Sequence, residues 1–240
     1  VSIITRTVKG REKLLTQAAY SVFNQTYSNI EWIVVEDGGN SAAELVEKLQ
    51  GVTSKQVRYK ACEKLGRSSA GNAGLGMAKG KYAMLLDDDD LLYSDHVEVL
   101  VNSLLNHTDA VAAYSLAWMV ESKIEDGEIT ENPYVSIKGH HQKFDYNLLR
   151  EMNYIPIQSI LFEKRLFDKR GGFDTEIEYL EDWNLWQRYA HNNKFEFVPK
   201  TTSLYRVPMD MGVKATRQGE LDRAYESVKK KTAQQIELIG

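Results

Sequence analysis

Residues 82–92, YAMLLDDDDLL, run from an apolar, strand-like segment into four consecutive carboxylates, Asp87 to Asp90, and then back to leucine. Two carboxylates about 5 Å apart repel by roughly 3 kcal/mol at an effective dielectric near 20. The run therefore calls for a cation or for full solvation, and the apolar residues on both sides argue against a merely solvated acidic loop. In an extended segment alternate side chains share a face, so Asp87 and Asp89 are expected on one side and Asp88 and Asp90 on the other. One such pair can hold a metal, and hard carboxylate oxygens suit Mg²⁺ or Mn²⁺.

Upstream of this run the elements alternate. VSIIT (1–5) reads as a short buried strand, residues 11–23 have helix-like apolar spacing, and NIEWIVVEDGG (29–39) is a second strand ending in acid and glycine. SAAELVEKLQ (41–50) is helix-like, QVRYKAC (56–62) strand-like, and SSAGNAGLGMAKG (68–80) is helical and leads into the strand KYAMLL (81–86). This alternation predicts a mostly parallel sheet with right-handed crossovers. Ligands of such sheets bind beyond the carboxyl ends of the strands, so Asp37 and the aspartate run should face one crevice. Gly74, Gly76 and Gly80 precede a strand instead of following one, which excludes a dinucleotide fingerprint.

The second half is less regular. Residues 95–106 read as a helix, 110–120 as a strand, 121–134 as a polar hairpin or loop, and 138–156 as a longer excursion. Residues 159–193 supply a strand, a short helix, a Gly-Gly turn and an amphipathic helix on which Trp183, Trp186 and Ala190 recur at i, i+3, i+7, the spacing of core residues. Residues 195–207 are strand-like, and 219–239 form a polar, lysine-rich helix. There is no internal repeat.

Composition limits the function classes. At 240 residues, 42% hydrophobic and 27% charged, the chain can bury the core of one large domain. No stretch approaches the roughly 20 apolar residues of a membrane span, and the opening residues have no charged-then-apolar pattern to suggest a signal peptide. The start on VSIIT without methionine is that expected of a domain cut from a longer protein. One cysteine, Cys62, excludes an internal disulfide framework and fits a reducing compartment. A net charge of -4 argues against general nucleic-acid binding.

Five segments occur together in order: VSIITRT (1–7), SVFNQTYSNIEWIVVEDGG (21–39), GNAGLGMAKGKYAMLLDDDD (71–90), GGFD (171–174) and EDWNLWQR (181–188). On these the chain resembles a family 2 glycosyltransferase of the GT-A fold, over roughly residues 1–206. The resemblance implies an α/β nucleotide-diphospho-sugar transferase fold, with a mostly parallel central sheet flanked by helices and an elaborated C-terminal half. The implied activity is transfer of a sugar from a nucleotide-diphosphate donor to an acceptor hydroxyl, with inversion and with Mn²⁺ or Mg²⁺. It divides the single domain into a donor-binding half (1–110), an acceptor and catalytic half (111–206) and a C-terminal helical extension (207–240).

Site residues follow position by position. The family's D-x-D falls on Asp87, Asp88 and Asp89, with Asp89 as the direct metal ligand and Asp87 nearer the ribose. The metal would bridge the donor diphosphate and stabilise the leaving nucleotide. Asp37 matches the carboxylate that accepts a base N–H, which favours uracil, and Gly38 and Gly39 let the backbone pass close by. Thr7 occupies a base-contacting position. Arg6 stands where the family often has proline, leaving two readings: a cation at the pocket edge or an exposed side chain. Many relatives carry arginine directly before the asparagine of N-x-G, whereas this chain has Gly71; Arg67, one turn earlier, leaves two readings, a substitute that reaches base or diphosphate and a surface arginine. Arg206 is a diphosphate contact. Pro208 stands where some relatives place a metal-binding histidine, leaving Asp89, phosphates and water as the metal shell, with Asp210 as an outside candidate.

Inversion requires a base that takes the acceptor hydroxyl's proton. The family places an acidic pair at a helix start for this, which assigns Asp182 as base and Glu181 as its support; acids also favour helix N-termini for electrostatic reasons alone. His140 and His141 read as ordinary loop residues bordering the acceptor. The Q-x-x-R-W motif of processive relatives is absent, so one sugar per encounter is expected. The acceptor class is a glycan or a lipid-linked or protein-linked molecule of bacterial surface glycan or glycoconjugate synthesis, handled in the cytoplasm, with peripheral association at the inner membrane face compatible with the composition. Two alternatives are a nucleotidyltransferase on a related sheet and a degenerate glycan-binding module. The first lacks a glycine-rich basic loop after strand one, and the second would be expected to have lost its acids.

Overall fold

Strands β1 (Ser2–Thr7) and β2 (Glu31–Asp37) are buried at every position, which requires cover on both faces of the sheet. Alternation along the strands supplies both covers. Ile3, Trp32, Val34 and, from β4 (Tyr82–Leu85), Met84 pack beneath α1 (Glu12–Phe23), α2 (Ala43–Gln50) and α4 (His96–Asn106). Ile4, Ile33, Val35 and Leu85 pack beneath α3 (Arg67–Met77) and α7 (Glu181–Ala190). Each fully buried aliphatic side chain contributes about 1.5–3 kcal/mol.

The computed structural model describes residues 1–125, 128–132 and 141–239. With β3 (Gln56–Cys62), β5 (Leu91–Leu92), β6 (Ala110–Glu125), β7 (Glu128–Glu131), β8 (Ile160–Glu163) and β9 (Lys194–Pro208), the strand order is β3-β2-β1-β4-β8-β6-β9-β5, and β7 pairs with β6. β1 is parallel to β2 and β4, β2 to β3, and β6 to β9. β8 runs antiparallel between β4 and β6. The chain therefore leaves β1 in one direction for β2 and β3 and returns to its other side at β4. That reversal opens a crevice at the carboxyl ends of β1 and β4.

The expected elements are present, with some shifted ends. The terminal helix, α8 (Met211–Glu237), starts earlier than residue 219 because Asp210 caps it, its Oδ1 accepting the Val213 N–H at 2.9 Å. The strand expected at 110–120 continues to Glu125, where β7 pairs with it. The 138–156 excursion contains α5 (Tyr146–Glu151), while His140 lies outside the described residues. α6 (Arg165–Arg170) is the short helix before the Gly-Gly turn.

The α3 glycines serve packing. A Cβ on Gly74 would lie 2.3 Å from Ile4 Cγ2, so the helix sits directly on β1. A Cβ on Gly71 would lie 2.7 Å from the Phe173 ring, and one on Gly172 2.0 Å from Asn72 Oδ1. Asn72 fastens the same junction, donating to the Phe173 carbonyl at 2.9 Å and accepting its N–H at 2.7 Å. Two of the sequence segments are thus clamped to each other, and a side chain at 71 is excluded by volume.

Candidate active site

A cleft of about 1440 Å³ lies at the carboxyl ends of β1, β2 and β4. Thr7, Asp37, Arg67, Asp87, Asp88, Asp89, Glu181, Asp182 and Arg206 all line it, so every residue singled out for the site is brought together. Trp183 and Trp186 are core residues, 1% and 0% exposed, and Trp183 Nε1 donates to the Leu149 carbonyl at 2.6 Å.

The aspartate run is not extended, and the face-sharing expected for Asp87 and Asp89 does not hold. β4 stops at Leu85, and the Asp90 N–H donates to the Asp87 carbonyl at 3.0 Å, closing a turn. The turn divides the carboxylates among Arg6, Arg11 and the Arg206 backbone, with Asp88 and Asp89 sharing Arg11. Asp87 accepts Arg6 Nε and Nη2, both at 2.7 Å. Asp88 accepts the Thr7 hydroxyl at 2.6 Å and Arg11 Nε at 2.8 and 2.9 Å. Asp89 accepts Arg11 Nη2 at 2.7 Å, and Asp90 accepts the Arg206 backbone N–H at 3.2 Å. The repulsion inherent in the run is answered by two guanidiniums. Burial opposes the charge on Asp87, but Arg6 holds its carboxyl below the ordinary range. Burial pushes Asp88 up to about 6 despite Arg11.

Arg6 lines the cleft and is not exposed. It is 7% exposed, its guanidinium lies 5.4 Å over the Phe173 ring, and Nη1 approaches Glu181 Oε1 at 3.4 Å. It links the aspartate turn to the head of α7. Arg67 opens α3 and lies beside Glu181, with Nη1 3.5 Å from Oε1 and its side chain 54% exposed. Arg206 differs from the expected free diphosphate contact: its guanidinium donates to Glu131, to the Asp89 carbonyl at 2.6 Å and to Gln17, bracing the turn through its backbone.

Asp37 ends β2. Burial opposes its charge, but Lys64 and the Leu65 and Gly66 amides hold its carboxyl below the ordinary range. Its neighbour Glu36 is structural, accepting the Ser41 and Ala42 N–H groups ahead of α2 and the Tyr59 hydroxyl.

At the opposite wall, Leu180 precedes α7 in the left-handed region, φ 64° and ψ 25°, a conformation that costs a branched residue roughly 1–2 kcal/mol. It turns the chain so that Glu181 and Asp182 enter the cleft. Asp182 accepts the Asn153 side-chain amide at 3.0 Å and the Trp183 N–H at 2.8 Å. Burial and the Glu181 charge push it up to about 6, leaving a carboxylate that takes a proton near neutrality. The first turns of α8 also border the cleft through Thr216, Arg217 and Glu220.

Among the described residues no group of three or more His, Cys, Asp or Glu side chains is arranged to cage a metal. Asp89 does offer a hard oxygen ligand at 30% side-chain exposure, whereas Asp88 is at 5% and Asp210 is engaged as a helix cap. One carboxylate completed by substrate phosphates and water is a recognised Mg²⁺-type arrangement, so the residues fit such an ion.

Arg11 and Asn153 were not legible as members of this site, and Arg6 was legible only as a cation at the pocket edge, without its partners Asp87 and Glu181. An isolated arginine or asparagine carries no sign of its partner.

Comparison with known proteins fits this geometry. Residues 2–168 match the model of Glycosyl transferase family 2. An uncharacterized glycosyltransferase of Rickettsia prowazekii is 31% identical over 200 residues, covering 82% of this chain; this chain spans 60% of that relative's length. Residues 1–349 of S. aureus TarS in complex with UDP-GlcNAc superpose with a TM-score of 0.69 at 13% identity, covering 98% of this chain and 70% of that one. The mannosyltransferase PcManGT from Pyrobaculum calidifontis, in complex with GDP-Man and Mn²⁺, gives 0.65 at 17% identity, covering 90% and 59%. At these identities the structural likeness carries the fold, which is of the GT-A type. The family match over most of the length, on a sheet whose strand ends carry the quoted motifs, means that the chain belongs to glycosyl transferase family 2.

Proposed function

We propose that this protein transfers a sugar from a nucleotide-diphosphate donor, preferably a UDP-sugar, to an acceptor hydroxyl with inversion at the anomeric carbon. The observation that carries the proposal is one cleft joining the acidic ends of β2 and β4 to an acidic pair whose Asp182 is raised to about 6. A base with that proton affinity is matched to neutral pH. In the displacement, the acceptor oxygen attacks the anomeric carbon opposite the diphosphate as the bond to the phosphate oxygen breaks. The nucleoside diphosphate departs, and the hydroxyl proton passes to Asp182.

Glu181, paired with Arg6 and Arg67, raises the proton affinity of Asp182 and supports the acceptor. Asp37 and Thr7 address the base and Asp87 the ribose, while Asp88 and Arg206 hold the turn and Arg67 reaches toward the diphosphate. Asp89 with donor phosphates would hold Mn²⁺ or Mg²⁺. When bound, the ion supplies charge neutralisation at the leaving diphosphate. PcManGT with Mn²⁺ and TarS with UDP-GlcNAc support this by analogy of fold.

The division into a donor half (1–110), an acceptor half (111–206) and a C-terminal extension is kept, with the first turns of α8 added to the acceptor wall. The acceptor is a glycan or a lipid-linked or protein-linked molecule of bacterial surface glycan or glycoconjugate synthesis, met in the cytoplasm or at the inner membrane face. Among the described residues no helix is long and apolar enough to cross a membrane.

A donor screen tests the proposal without knowledge of the acceptor. UDP-, GDP- and ADP-sugars are incubated with the protein and Mn²⁺, and release of nucleoside diphosphate by slow hydrolysis is followed. UDP-sugars are expected to be hydrolysed fastest. Hydrolysis of none of them, or undiminished hydrolysis in excess chelator, would overturn the donor and metal assignments respectively.

A further inference from the structure

Asp37 is more heavily engaged than a base-reading carboxylate with two open oxygens. Oδ1 accepts the Leu65 N–H at 2.8 Å and the Gly66 N–H at 3.1 Å, and Oδ2 accepts Lys64 Nζ at 2.7 Å. The lysine is steered there by its surroundings. Its stem crosses Gly38, where an added Cβ would lie 2.8 Å from Lys64 Cδ and 3.0 Å from its Cβ. Lys64 is 66% exposed and lines the same cleft. Asp37 is buried while the Lys64 end of the pair is open to the cleft, so the ammonium holds the carboxylate and keeps donors free to face a ligand there.

We infer that Lys64 is a specificity-determining residue which, with Asp37, reads the imide edge of uracil: N3–H donates to Asp37 Oδ2, and Lys64 Nζ donates to one of the two carbonyl oxygens flanking N3. The inference rests on the proposed use of a nucleotide-diphosphate donor in this cleft. Uracil presents acceptor, donor, acceptor along that edge. The site presents Oδ2, which accepts Lys64 Nζ and keeps one further lone pair, with the ammonium on one side and, on the other, Oδ1 already carrying two backbone N–H groups. Guanine offers the same carbonyl and ring N–H to Lys64 and Oδ2 and differs only beside Oδ1, so the UDP–GDP comparison reads that third position. Adenine and cytosine have no ring N–H on this edge to give to Oδ2.

The experiment titrates UDP, GDP, 2-thio-UDP and 4-thio-UDP, each with Mn²⁺, into the unmodified protein, Lys64→Met and Lys64→Gln by calorimetry, and records each melting temperature. Sulfur accepts a hydrogen bond poorly, so the analogue altered at the contacted oxygen should bind the unmodified protein several-fold more weakly than UDP. In Lys64→Met, UDP should weaken by roughly tenfold, the scale of a charge-assisted hydrogen bond, and the penalty for that analogue should vanish while the melting temperature holds. If Lys64→Met lowers the melting temperature, Lys64→Gln decides: a diminished thio penalty supports the assignment and an unchanged one overturns it. An unmodified protein that binds UDP and both thio analogues equally, or a penalty that persists without the lysine, removes Lys64 from base reading and leaves the donor proposal standing. Failure of every nucleoside diphosphate to bind the unmodified protein removes both.

Discussion

Asp87 and Asp182 face one cleft from opposite walls in contrasting surroundings. Asp87 has both oxygens on the Arg6 guanidinium at 2.7 Å and is held below the ordinary carboxylate range. Asp182 has a neutral amide and a backbone N–H as partners, with Glu181 beside it, and is pushed up to about 6. The residue type is the same and burial acts on both in the same direction; the difference is that Arg6 is hydrogen-bonded to Asp87 but acts on Asp182 only through space, against the stronger effect of the Glu181 charge. One wall keeps a fixed anion and the other a proton acceptor, as separated donor and base roles require.

The contrast breaks most completely on the donor wall. Asp89→Asn is expected to abolish transfer and to remove the bound-Mn²⁺ signal in electron paramagnetic resonance with UDP present, while the circular dichroism spectrum is retained. Full activity of this variant would detach the metal from the aspartate turn.

Next in size is the opposite wall. Asp182→Asn should lower turnover by about 10²- to 10⁴-fold, the usual contribution of a general base, and leave UDP affinity nearly unchanged. The amide still accepts the Trp183 N–H but cannot take the acceptor proton. An equal loss of donor affinity and turnover would move the base elsewhere, with Glu181 tested next.

The smallest effect sharpens the contrast. Asp182 acts only when unprotonated, so turnover should fall as pH drops through about 6. Because the Glu181 charge contributes to that raised value, Glu181→Gln lowers the proton affinity of Asp182, and the acid limb of the kcat profile should move to lower pH. The loss at neutral pH should be far milder than for Asp182→Asn. An acid limb that stays in place or moves upward would show that the Glu181 charge does not tune the base.

Much of this was legible along the chain. The apolar stripe of α1 (Leu14, Leu15, Ala18, Ala19 and Val22) follows from periodicity and the apolar runs of β1 and β2 mark them as strands, because neighbours in sequence set which face each side chain occupies. Asp37, the aspartate run and the Glu181–Asp182 pair were recognisable because they sit at strand ends or a helix start in an ordered set of motifs. The same local logic failed at Asp87 to Asp90. An extended strand and a turn share that composition, and the turn is selected by Arg6, Arg11 and the Arg206 backbone.

Local sequence sets the alternating α/β order, the acidic strand ends and the identity of the acids at the head of α7. Which of those acids are neutralised is set by long-range folding. Arg6 meets Asp87 from 81 residues away and Glu181 from 175, and Asn153 reaches Asp182 from another loop. Periodicity and turn chemistry act between chain neighbours and can be read from them. The proton affinity of a carboxylate depends on charges and solvent within a few ångströms, and those are set only when the sheet closes and brings distant segments to one cleft.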